Sequence, residues 1–76
     1  MNKTRQKAIE KVLETLIDLR DQVESIHDEE EEAFENIPES LEGTDRYEQA
    51  EEAVSNLDDA LSSLEDAIDS LENAKE

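Results

Sequence analysis

The chain has 76 residues, with 24 acids against 7 Lys plus Arg, for a formal net charge of -17. With no Cys, one Gly and one Pro, it holds one small domain at most and cannot be framed by disulfides. No apolar run approaches the roughly 18 residues of a membrane span, and so acidic a chain is repelled by anionic lipid and by nucleic acid phosphates.

Such a charge by itself suggests disorder, but the apolar residues are ordered. In the first arm Ile9, Val12, Leu16, Leu19, Val23 and Ile26 alternate spacings of three and four, an a/d heptad seam on one side of a helix. Leu13 and Ile17 lie beside it and widen the stripe. The pattern weakens at Glu30 and returns at Ala33 and Ile37.

Between the arms lies NIPESLEGTDRY. Asn36 tolerates the left-handed conformation that ends helices, and Pro38 excludes the helical region for Ile37. Pro38 opens one short turn through Leu41 that Gly43 closes. Thr44 then caps a second helix, with Asp45 placed where a carboxylate suits the helix dipole. Phe34 and Tyr47 flank the turn; with Ile37 and Leu41 they form a cluster sealing that end, or else one ring is an exposed anchor. Arg46 is expected to pair with Glu42 or with the acidic run ending at Glu32.

The second arm repeats without error through Tyr47, Ala50, Val54, Leu57, Leu61, Leu64, Ile68 and Leu71, with Ala53, Ala60, Ala67 and Ala74 alongside. Small residues beside a seam permit close helix approach. The predicted fold is all-α, an antiparallel two-helix coiled-coil hairpin in one domain spanning 1–76, with helices over about 4–35 and 45–74 and the turn over about 36–44. Two helices alone bury little. Leu13 and Ile17 are therefore assigned to self-association, as a homodimeric four-helix bundle; the alternative is a monomer whose intramolecular face they broaden.

The charge is uneven: residues 1–20 carry five bases and three acids, and residues 21–76 two bases and 21 acids. Antiparallel packing is expected to bring Arg20 near Asp58 and His27 near Glu51. The run Asp28–Glu32 lacks the spaced ligands and central Gly of a calcium loop, and one His without Cys makes no zinc site. His27 reads as a surface imidazole whose pKa its acidic neighbours raise. No catalytic, cofactor or metal residue is assigned, and no enzyme is expected, because a slender hairpin offers no pocket.

The acidic surface has two readings. One is a solvated face that maintains solubility. In the other, carboxylates recurring every turn, at about 5.4 Å, imitate the phosphates of a nucleic acid strand and cover a basic site. The candidate partner-binding residues are Glu29, Glu30, Glu31, Glu32, Glu48, Glu51, Glu52, Asp58, Asp59, Glu65, Asp66 and Asp69.

Glu29 to Glu32, Phe34, then Asn36, Pro38, Glu39, Ser40 and Leu41, with Arg46 following, give the chain a turn motif that resembles a group of small acidic helical proteins encoded by bacterial phages and mobile elements. The resemblance covers most of the chain. It implies an inhibitor of a basic, nucleic-acid-binding host or defence protein; a cytoplasmic location is expected from the lack of signal peptide, anchor and cysteine, and no direct nucleic acid or membrane contact from the charge. The alternative is a structural or adaptor coiled coil that pairs with itself or a partner helix. A basic toxin masked by an acidic antidote shares the same charge logic.

Overall fold

The structure, a computed structural model, describes residues 1–76 and consists of two long helices, α1 (Lys3–Glu35) and α2 (Asp45–Ala74), folded back on one another. The hairpin measures 59 × 15 × 13 Å. Asn2 starts α1 by accepting a 2.8 Å hydrogen bond from the Arg5 amide at its side-chain oxygen. No helix is long and apolar enough to cross a membrane.

The connection reaches its reversal differently from the sequence expectation. Asn36 keeps a negative φ of -87°, and the only left-handed residue is Gly43, at φ 82°. Pro38 blocks helix continuation, so the Ile37 amide closes a tight turn onto the Phe34 carbonyl. One 3-10 turn follows over Glu39–Leu41, with the Leu41 amide donating to the Pro38 carbonyl. Thr44 caps α2: its hydroxyl donates to the Leu41 carbonyl at 2.6 Å and accepts from the Tyr47 amide at 3.3 Å. Phe34 and Tyr47, both half-buried, pack tilted with centroids 4.9 Å apart, within the favourable range for aromatic pairs. Leu41 stays exposed and does not join a seal.

α2 presents its expected a/d seam: every residue from Tyr47 through Leu71 in that series is half-buried or buried. α1 is rotated away from its expected seam. Ile9, Leu16 and Val23 do face α2, but Val12, Leu19 and Ile26 are 50%, 43% and 54% exposed. Their places are taken by the adjoining row Leu13, Arg20, His27 and Phe34, all buried or half-buried. Leu13, at 5% exposure, and Ile68, at 4%, are the only buried apolar side chains. The physical reason is that α1 offers two apolar rows and the mixed row Leu13, Arg20, His27 and Phe34, and a single neighbouring helix covers only two of the three. Turning the Leu13 row inward brings the cations Arg20 and His27 toward the acidic row of α2.

At 100° per residue, the rotation divides the hairpin into two sides. On one side lie Leu13, Ile17 and His27 with the α2 row Glu51, Asp58, Glu65 and Glu72; Leu13, Ile17 and Glu72 line one shallow cleft there. On the other lie Val12, Leu19, Ile26 and Ala33 with the α2 alanine row, and Ala33 shares a cleft with Arg46 and Gln49. The next rows outward on this second side are Ala8, Thr15, Gln22 and Glu29 on α1, and Gln49, Asn56, Ser63 and Ser70 on α2. Glu29 is the one acid in those four rows. Charge and exposed apolar surface are therefore segregated.

Candidate functional site: the acidic side

The acidic side is built on helical repetition. The α2 residues Glu51, Asp58, Glu65 and Glu72 recur every seven residues, about 10.5 Å, and Glu48, Glu52, Asp59, Asp66 and Asp69 extend the same surface outward. All of the α2 candidates are exposed. From α1, Glu10, Glu24 and Glu31 form the facing row. Glu10, Glu14, Glu24 and Glu72 were not among the sequence candidates; their heptad positions beside the Leu13 row, once that row is known to face inward, would have identified them.

The run Glu29–Glu32 does not act as a unit. Successive residues diverge by 100° around α1, so only Glu31 turns to the acidic side, where it reaches His27. Glu30 is half-buried in the opposite cleft beside Ala33 and Arg46.

His27 is the organising group of this side. It is 9% exposed, not the surface imidazole expected. Its Nδ1 lies 3.1 Å from Asp28 Oδ1, and its Nε2 lies 3.5 Å from Glu31 Oε2 and 2.7 Å from Asp58 Oδ1 on the opposite helix. The Asp58 approach is an ion-pair contact and not a hydrogen bond, which leaves the buried Nε2 without a hydrogen-bond partner. The contact with Asp28 raises the His27 pKa above its ordinary 6.5, and the charges of Asp58 and Glu31 add to it against the opposing effect of burial. An imidazolium here neutralises part of the carboxylate repulsion and ties the two helices together.

The cross-helix pairing is shifted one heptad from expectation. His27 meets Asp58 instead of Glu51, and Arg20 pairs with its neighbour Asp21 at 3.2 Å. Arg46 forms no ion pair with Glu42 or Glu32 but stands exposed at the rim of the second cleft. Near the open end, the Gln6 side chain donates a 2.7 Å hydrogen bond to the Lys75 carbonyl and fixes the register there.

Leu13 and Ile17, assigned to self-association or else to a broader intramolecular face, both lie along the acidic side of the hairpin. Leu13 is packed against α2, and Ile17 is half-buried on the acidic side beside Glu10, Glu14 and Glu72. A like-charged second copy is repelled from that position.

His27, Asp28 and Glu31 are the one group whose atoms lie close enough to share a metal ion. Binding there requires a neutral imidazole, which the surrounding carboxylates oppose, and two of the three residues are adjacent in the chain. The arrangement is chemically suited to long-range attraction of positive charge. Comparison with protein families, with curated proteins and with solved structures gives no match to this chain.

Proposed function

We propose that the chain is a small binding protein whose acidic side covers a basic, nucleic-acid-binding surface of a host or defence protein and inhibits it by occupying that surface. The observation that supports this is the segregation of carboxylates: α2 and the Glu10–Glu31 row of α1 present them on one side, recurring within a row every seven residues, about 10.5 Å along the helix. A face evolved for solubility alone needs no such sorting, because dispersed charge serves it equally well. Rigid, periodic carboxylates on a basic groove release the counterions that a nucleic acid strand would otherwise release. The resemblance to acidic phage-encoded proteins points the same way.

The test is capture of partners from bacterial lysate with the tagged protein, repeated with rising salt and with competing DNA. The expected result is a nucleic-acid-binding protein that DNA and salt both displace. A fourfold variant Glu51→Gln, Asp58→Asn, Glu65→Gln, Glu72→Gln should lose that partner, whereas each single change should weaken capture only slightly. Capture insensitive to DNA and unaffected by the fourfold variant would refute inhibition by mimicry.

A structural or adaptor role is the second reading, and the exposed row Val12, Leu19 and Ile26 favours it. Association through that row should persist at high salt, which separates it from binding by the acidic side.

A further inference from the structure

The side opposite the carboxylates has the composition of a buried surface. Val12, Leu19 and Ile26 recur at seven-residue intervals and remain about half exposed. Ala60 and Ala67 line the neighbouring helix at the same spacing, and both are exposed. With only Glu29 and the half-buried Glu30 as acids, this side is where a second chain of net charge -17 approaches with least repulsion.

We propose that a second copy of this chain covers the Val12–Leu19–Ile26 side, the two hairpins packing antiparallel about a two-fold axis at Leu19 to form a four-helix bundle. The proposal concerns the side left free by partner binding, and it stands whether or not the acidic side has a partner.

Charge fixes the direction. The turn half of the hairpin, residues 20–63, carries two bases and sixteen acids, net -14; the open half, residues 1–19 with 64–76, carries five bases and eight acids, net -3. Parallel hairpins would set the two strongly acidic halves side by side, whereas antiparallel hairpins set each against the weakly charged half of its partner.

Register follows from symmetry. The row Arg5, Val12, Leu19, Ile26, Ala33 is centred on Leu19, so a two-fold axis there pairs Val12 with the partner's Ile26. It also carries Arg5 to the partner's Ala33, beside the cleft that holds the half-buried Glu30. On α2 the alanine row is centred between Ala60 and Ala67. The pairings of His27 with Asp58 and Gln6 with Lys75 put that centre level with Leu19. One axis therefore serves both helices, with large residues meeting on α1 and small ones on α2.

Size is sufficient. A side 59 Å long and 15 Å wide offers on the order of 800 Å² per copy, the amount that a stable interface buries on each partner. The Val12–Leu19–Ile26 row of α1 thereby gains the neighbour that one hairpin cannot supply.

The test combines sedimentation equilibrium with a distance measurement on the full chain. At up to about 100 µM the wild type should sediment at twice its 8.7 kDa. Leu19→Lys makes the chain less acidic, so general repulsion falls, yet it should weaken association at least about tenfold. Ile17→Lys, on the acidic side, should leave association unchanged. The absence of cysteine allows a spin label at Ser40→Cys in the turn. Antiparallel packing places the two labels nearly the 59 Å length apart, and parallel packing places them within about 20 Å. A monomer throughout, association lost in Ile17→Lys but kept in Leu19→Lys, or a short label distance would each overturn the proposal. If Leu19→Lys loses its helicity, the label distance, measured without changing the interface, decides.

Discussion

Truncating Leu13 and Val12 separately distinguishes the rotated seam from a regular a/d seam. Leu13 is 5% exposed and Val12 is 50% exposed, although the heptad pattern ranks them the other way. Leu13→Ala removes three carbon groups at about 0.8 kcal/mol each and leaves part of a cavity, so its cost is about 3 kcal/mol. A 76-residue domain has a total stability of about 4–11 kcal/mol, so the loss is a large fraction of the whole. Val12→Ala removes two groups that are already half hydrated in the single hairpin, for under about 1 kcal/mol. Urea unfolding followed by helical circular dichroism measures both. At low micromolar concentration the Leu13 variant should lose far more than the Val12 variant. Raising the concentration should enlarge the Val12 cost alone, because a second copy covers Val12 and not Leu13. Equal costs at high dilution would refute the rotation of α1.

Added sodium chloride at neutral pH should raise the melting temperature by several degrees. The first turn of α1 has no acid and its last turn no base, an arrangement that opposes its dipole as well as the net charge; a melting temperature that falls with salt would contradict this. The pKa of His27 is raised in the folded state, so its stabilisation is full below the unfolded pKa of about 6.5 and disappears as pH rises through the folded value. The stability difference between wild type and His27→Gln should accordingly shrink as pH rises from about 6.5 through the raised folded value, and a difference that widens with rising pH would reverse the assigned sign. Gly43→Ala meets no atom within 4 Å but inherits a φ of 82°, so it should cost about 1 kcal/mol from backbone strain alone. A cost near zero in chemical denaturation would show that the turn relaxes.

The helical hairpin was legible because its signals are local: heptad spacing, the Pro38 stop and the Thr44 cap each act within a few residues. The rotation of α1 was not. Leu13, Arg20, His27 and Phe34 include two cations, so a hydrophobic pattern ranks the row below Val12, Leu19 and Ile26. With it turned inward His27 meets Asp58 of α2, a cross-helix pairing that no single segment displays. The burial of His27 and the shift of its partner from Glu51 to Asp58 follow from the same register. The acids of α2 could be assigned to one surface from their spacing. Those of the 29–32 run diverge by 100° per residue, as the helical period dictates, but which of them joins the acidic side depends on the rotation of α1. The Pro38 turn was recognisable, yet the left-handed residue fell on Gly43 instead of Asn36, as the lower steric cost for glycine dictates.

A hairpin held by one short connection assembles in an order set by chain length. Phe34 and Tyr47 close a small loop, while Gln6 meets Lys75 only after 69 residues have been brought together. Each doubling of loop length costs about 0.6 kcal/mol in closure entropy, unless contacts nearer the turn have already formed. The helices therefore zip from the turn outward, and the open end forms last and frays first. In the proposed antiparallel pair, that late-forming end of each copy would be laid against the early-forming turn half of the other, so each hairpin would hold closed the part of its partner that opens most readily.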